Sequence, residues 1–286
     1  MHCDIYKYAD DNTISASHSE KAELVKVLEN KSQEAIEWFH SNAMLANPEK
    51  FQAILLSPWR AESLSEELSF HGVSIRNENT VNVLGIKLDD KLSFNDHIKH
   101  LCMKAGRQLN VLRRLSPYLD QTSRLAIFKS FISAHFNDCP MVWHNCGKTN
   151  MAKLERLQER CLRFVYKDHK SDYESLVKKA NLTTLTLSHI RLVAIEVYKA
   201  LKGHSPSYMS QLFTVRSESA PKIRAENTLD IPIKRSVRFG KYSLSYEGAK
   251  IWNHLPNHIR KAENFNQFRN LIKTWEGCNC ALCIAK

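Results

Sequence analysis

Long apolar runs are missing from this chain. The stretch 125–132 is the nearest approach to one, and it is short and broken by Lys129, so nothing spans a bilayer. The opening MHCDIYKYADD turns polar within a few residues and lacks the apolar core of a secretory signal. An intracellular setting, nucleus or cytoplasm, with no membrane contact is expected. There the eight scattered cysteines are reduced thiols rather than a disulfide framework. Only eight glycines and eight prolines occur among 286 residues, which leaves little room for a long flexible linker. Acids are also the minority: 30 stand against 41 Lys and Arg, giving a net charge of +11 and a pI near 9.2. That excess favours a polyanionic partner through counterion release and is silent on sequence preference.

Against this background the most informative stretch is IYKYADDNTIS, residues 5–15. Ile5, Tyr6, Tyr8, Thr13 and Ile14 are β-formers and Asp-Asp-Asn tolerates turn dihedrals, so the stretch predicts a β-hairpin with acids at its tip. Adjacent carboxylates repel each other. Asp10 and Asp11 make physical sense together where a turn meets a multivalent cation. In-line displacement at phosphorus uses metal ions about 3.5–4 Å apart. Mg2+ suits such a tip because it takes one or two carboxylates from protein and phosphate oxygens from substrate. A lone Asp-Asp is also common in plain surface turns, and the residues alone leave both readings open.

Tyr8-Ala9-Asp10-Asp11, after an apolar strand and before Thr13-Ile14-Ser15, resembles motif C of reverse transcriptases, specifically those of non-LTR (LINE-type) retrotransposons. Viral RNA polymerases usually carry Gly where Ala9 stands. NPEKFQAILLS, residues 47–57, resembles motif D, and Val83-Leu84-Gly85-Ile86 resembles motif E, the primer grip. The resemblance implies an RNA-directed DNA polymerase in which Asp10 and Asp11 hold Mg2+ and Lys50 neutralises charge developing on the leaving pyrophosphate. Leu84 and Gly85 would be the primer-grip-like pair, Gly85 letting backbone approach a ligand closely; a bulge in a structural strand is the other reading of that glycine. The implied partners are an RNA template and a DNA primer.

Order along the chain predicts an α+β protein: a polymerase palm remnant over 1–92, a helical thumb-like region over 93–170, and a helical, basic and aromatic region with a cysteine tail over 171–286. Ser17-His18-Ser19-Glu20 has the form of a capping box ahead of a helix reaching about Met44, with Leu24, Leu28, Ala35 and Phe39 on one face beneath the hairpin. Residues 51–56 read as a short strand. Residues 68–75 and 80–88 read as the two arms of a second hairpin across Arg76-Asn77-Glu78-Asn79. From Phe94 the period becomes helical through Ile98, Leu101, Ala105, Leu109 and Leu112, with Asn95 or Asp96 as cap and Pro117 as stop. Further helices are expected over about 123–136, 151–166, 173–180 and 185–202.

Lys104, Arg107, Arg113 and Arg114 on the first thumb helix, with Lys153, Arg156, Arg160, Arg163 and Lys167 on the third, suit phosphate contacts along a duplex; solvated helix faces are the competing reading. Arg235 and Arg238 belong to a later basic stretch followed by Tyr242, Tyr246 and Trp252, a mixture that permits phosphate neutralisation with base stacking. YSLSYEGAKIWNHLP, residues 242–256, is similar to the closing segment of many LINE-type polymerases. Cys278, Cys280 and Cys283 offer zinc three thiolates but no fourth ligand at a finger spacing, which favours free thiols. His97 and His100 read as surface residues.

In the family a further metal-binding aspartate sits on a strand before motif C, and none precedes Asp10 at that distance here. The expectation is therefore a truncated or wrongly delimited copy, catalytically incomplete alone, whose palm part is less secure than its helices. The endonuclease domain common in the class is not expected in this stretch. A non-catalytic RNA- or DNA-binding fragment is the alternative. A group II intron maturase shares the Tyr-Ala-Asp-Asp wording, but no histidine-rich nuclease motif accompanies it.

Overall fold

The computed structural model describes residues 2–57, 67–216 and 227–277. Lys222, Arg224 and the tail cysteines Cys278, Cys280 and Cys283 lie outside the described residues. The class is α+β, and the chain divides into two compact units, Met1–Leu92 and Ser93–Lys286. The stretches 93–170 and 171–286 therefore share one unit.

In the first unit β1 (His2–Tyr8) and β2 (Asp11–Ser17) form an antiparallel hairpin with Tyr8 opposite Asp11. Ala9 and Asp10 make the two-residue turn, Ala9 at φ 52°. Helix α1 (Lys21–Ser41) covers one face: Lys7 lies 4.4 Å from the Trp38 ring. The capping box does not form. No side chain caps α1 at Glu20; instead the Glu20 amide donates to His18 Nδ1 at 3.0 Å. Leu24, Leu28, Ala35 and Phe39 are only half-buried, and the helix buries Ser32 and Ile36.

Two further expectations need correction. Residues 51–56 form no strand beyond a single bridge from Ala53 to Asn77. The runs 68–75 and 80–88 do not pair with each other; each folds back on itself. Strands β3 (Leu68–Phe70) and β4 (Val73–Ile75) close through His71-Gly72, and β5 (Thr80–Val83) and β6 (Ile86–Asp89) through Leu84-Gly85. Both central residues of each turn have positive φ, 51° and 72°, then 49° and 83°. Such turns match the twist of the flanking strands, and a glycine in them is the local signal for a hairpin.

The second unit is helical. Helix α2 (Asn95–Leu115) buries Ile98, Leu101, Ala105, Leu109 and Leu112, the stripe its period demands. Neither Asn95 nor Asp96 caps it; Phe94 holds that position in the left-handed region. Next come α3 (Gln121–Ile127), a wider π turn (Phe128–Ile132) and α4 (Ser133–Phe136), in one helical run capped by Asp120, which accepts from Ser123 N at 2.8 Å. Short α5 (Pro140–Trp143) leads to α6 (Lys148–Tyr166), which packs along α2. Then α7 (Tyr173–Lys179) precedes α8 (Leu185–Leu201), followed by α9 (Ser207–Ser210), α10 (Leu244–His254), α11 (Asn257–Arg260) and α12 (Phe265–Thr274). Apolar on nearly every side, α8 packs on α5, α6, α10 and α12. Its Tyr198 stacks on Phe268 with centroids 4.3 Å apart.

Candidate metal-binding tip and basic helix faces

At the hairpin tip a two-residue turn brings Asp10 and Asp11 to the end of β1 and β2, and both are exposed. The turn is held by Asn12 Nδ2, which donates to Asp10 O at 3.1 Å. Cys3 and Lys7 face α1, so alternation turns Tyr6, Tyr8, Asp11 and Thr13 the other way. Tyr6 and Tyr8 are 50% and 68% exposed on that open face. Hard carboxylate oxygens on an open turn are donors that Mg2+ accepts, and two are as many as it commonly takes from protein. Among the described residues no group of three or more His, Cys, Asp or Glu is placed to hold a metal. A complete site would draw other ligands from substrate or another chain segment.

The remaining first-unit candidates are dispersed. Lys50 ends a single 3-10 turn (Pro48–Lys50) and is exposed. Leu84 and Gly85 form a turn tip. A Cβ added at Gly85 would meet nothing within 4 Å, so neither a bulge nor close packing within the chain explains the glycine; its φ does.

In the second unit the expected basic residues separate into different surfaces. On α2, Lys104 points toward His135 of α4, whose pKa is held down by burial and then by that lysine. Arg113 lies on the other flank, 5.8 Å from the Phe164 ring of α6. Arg107 and Arg114 are exposed between them. The α2 cations thus fan round the helix rather than forming one line. Helix α6 is different: Lys153, Arg156, Arg160 and Arg163 recur at spacings of three and four along its solvent side, and Lys167 continues the row at its C-cap. Arg163 is paired with Glu159 at 2.7 Å, and Lys153 donates to Asn150 Oδ1 at 3.2 Å. Arg156 and Arg160 have no ion-pair partner among the described residues.

Where α2 and α6 meet near their N-termini, Asn95, Asp96, Lys99, Cys102, Met103 and Lys153 line an open depression of about 490 Å³. Lys99 escaped the sequence reading, although it sits one turn before Met103 on the flank facing α6. The buried thiol nearby is inert: burial pushes Cys146 up to about 12, as it does Cys161 farther along α6.

Three other assignments change. His97 is buried at 4% exposure, its ring 5.7 Å from Trp143, whereas His100 is exposed. Trp252 is 3% exposed, part of the α8, α10 and α12 core, and donates Nε1 to Asn227 O at 2.8 Å. Tyr246 is half-buried with Lys250 5.6 Å from its ring. Of the aromatics after Lys241, Trp252 is core, Tyr246 is half-buried and Tyr242 is 38% exposed, so Trp252 is withdrawn from any stacking surface; Arg235 and Arg238 are exposed. No helix among the described residues is long and apolar enough to cross a membrane. Comparison with protein-family models, with curated proteins and with solved structures returned no match to this chain.

Proposed function

We propose that the chain is the C-terminal part of an RNA-directed DNA polymerase of the non-LTR retrotransposon type. Its palm hairpin presents Asp10 and Asp11 to Mg2+, and its second unit holds nucleic acid through phosphate contacts. The observation that carries the reading is the position of both aspartates at the tip of an antiparallel hairpin, both exposed, Asp10 in the two-residue turn and Asp11 opening β2. Bound Mg2+ would align the attacking 3′ hydroxyl and stabilise the leaving pyrophosphate. The chain's own part is to supply two adjacent carboxylates, one from the turn and one from the first residue of β2.

Because two carboxylates do not complete the site, the chemistry calls for a third ligand beyond these two. The test is primer extension on an RNA template with Mg2+, using the chain alone and the chain joined to whatever reading frame precedes it. A product that depends on Mg2+ and disappears in Asp10→Asn supports the reading. Extension that persists in that variant overturns it.

A second reading, nucleic-acid binding without chemistry, is favoured by the row of cations on α6. It expects binding that survives Asp10→Asn and falls steeply with salt. Absence of any salt-dependent binding to RNA or DNA would remove both readings.

A further inference from the structure

The depression of about 490 Å³ between α2 and α6 has walls that one buried amide sets in place. Asn150 is 4% exposed. Its Nδ2 donates to Asn95 Oδ1 at 2.7 Å and to Cys146 O at 3.1 Å, and its Oδ1 accepts from Lys153 Nζ at 3.2 Å. A single side chain thus positions an amide and an ammonium that both line the depression. With Asn95 Oδ1 occupied, its Nδ2 is left without a partner among the described residues, and so is the ammonium of Lys99 on the same lining. Lys153 retains two N–H donors beyond the one it gives to Asn150.

The rest of the lining narrows what these donors could hold. Cys102 is half-buried, and burial pushes its thiol pKa up, so it brings no negative charge at neutral pH. Met103, 46% exposed, supplies a polarizable apolar surface that adapts its shape. Asp96 is the one acid of the lining and has no partner among the described residues.

Two ammonium groups and an amide against one carboxylate favour an anion of more than one charge. A phosphate monoester carries about −1.5 to −2 at neutral pH on three acceptor oxygens. Lysines hold phosphate as point charges, whereas a carboxylate is matched best by the planar fork of arginine, and no arginine lines the depression. The volume lies within the roughly 300–1,000 Å³ of small-molecule sites, which is more than phosphate alone fills. Asp96 repels a bare phosphate but accepts from hydroxyl groups. We propose that this depression binds a sugar phosphate, free or as part of a nucleotide. Its phosphate meets Lys99, Lys153 and Asn95 Nδ2, its hydroxyls donate to Asp96, and its carbon skeleton rests on Met103. The inference goes beyond the polymerase reading and does not rest on it, since it invokes no metal, neither tip aspartate, and neither Arg156 nor Arg160.

Cys102 serves as the reporter. The full chain is alkylated with N-ethylmaleimide at constant ionic strength in the presence of ribose 5-phosphate, adenosine 5′-monophosphate or inorganic phosphate. Peptide mass spectrometry follows Cys102 against the exposed Cys139 as internal reference. Ribose 5-phosphate is expected to slow alkylation of Cys102 saturably and to leave Cys139 unchanged. Lys99→Gln and Lys153→Gln should each raise the half-protecting concentration about tenfold. Lys99 is exposed, so its variant keeps the fold, which an unchanged melting curve verifies. Asp96→Asn separates sugar from phosphate: it should weaken protection by ribose 5-phosphate and strengthen protection by inorganic phosphate. Protection by adenosine 5′-monophosphate at lower concentration than ribose 5-phosphate supports the proposal with a nucleotide as ligand, and the reverse order supports it with a free sugar phosphate. No protection, protection by inorganic phosphate at the same concentration as ribose 5-phosphate, or indifference to Lys99→Gln overturns the proposal. Equal protection by oligothymidylate lacking a terminal phosphate also overturns it and assigns the depression to nucleic acid.

Discussion

Trp143 is fully buried with the His189 ring edge-on to it at 4.9 Å, and His189 Nε2 meets Phe136 O at 2.9 Å. Burial holds the His189 pKa down to about 4, against an ordinary 6.5. Between those values the unfolded chain takes up a proton that the folded chain refuses. Stability is therefore complete above about pH 6.5 and declines as pH falls toward 4, by a total on the order of 3 kcal/mol. His144 and His135 are depressed by burial in the same sense, so His189→Gln should flatten the decline without abolishing it. Urea midpoints measured from pH 7 to 5 test this, and a flat profile there would contradict it; Asp168, held near 2, titrates below that window. A second polar cluster joins three helices. Glu155 of α6 accepts from Tyr173 OH and from both Thr186 N (2.9 Å) and Thr186 Oγ1 (3.0 Å). Glu155→Ala takes the acceptor from Thr186 N and Oγ1 while Tyr173 OH keeps Gln158 Oε1 at 2.9 Å, and the expected loss is about 1–3 kcal/mol in chemical denaturation. Tyr173→Phe should cost less, since Thr186 keeps its partner.

Helix α6 separates a buried apolar side from an exposed basic one. Its inner side carries Met151, Leu154, Leu162 and Val165 into the core, so substitutions on the outer side leave the core intact and test the proposed nucleic-acid contacts separately from folding. Arg156→Glu and Arg160→Glu are expected to leave the melting temperature unchanged and to lower nucleic-acid affinity uniformly across sequences. Each should reduce the slope of log affinity against log salt by about 1. Arg163→Glu differs because it also breaks the pair with Glu159, whose side chains are 24% and 29% exposed, and sets two acids one turn apart. A slope unchanged by the first two variants would leave the α6 row without a role in binding. The hairpins make the complementary point. A sequence-only pairing of 68–75 with 80–88 failed because each run contained its own glycine turn, Gly72 and Gly85, and a local two-residue closure costs far less chain entropy than a longer one.

The two units differ in how much apolar side chain they bury. In Met1–Leu92 the fully buried apolar residues among those described are Ile36, Leu68, Ile75, Val81 and Ile86. The second unit buries whole faces of α2, α6 and α8 together with Trp143, Phe128, Phe136, Tyr198 and Phe268. Three separate two-stranded sheets give the first unit no shared ladder, and an isolated hairpin is marginal in water. Unfolding is therefore expected in two steps, with amides of α1, β1 and β2 exchanging at lower denaturant than those of α6 and α8. A single coincident transition for both sets of amides would refute this.

Periodicity alone specified the helical half of the molecule. Ile98, Leu101, Ala105, Leu109 and Leu112 announce one buried stripe, and a stripe at that spacing has no other low-energy conformation. The tip aspartates were equally legible, because β-formers flanking a polar pair close into a hairpin wherever they occur. Tertiary packing decided which polar and aromatic residues are inside. His97 and Trp252 carry no mark in the sequence that distinguishes them from His100 and Tyr242; only the approach of α5 and α8 from elsewhere in the chain buries the first two. It also decided that Ile231, Ile233 and Val237 face outward. No strand or helix runs through 231–236, so which side chains meet the core there is set by what the rest of the chain packs against them and not by any local period.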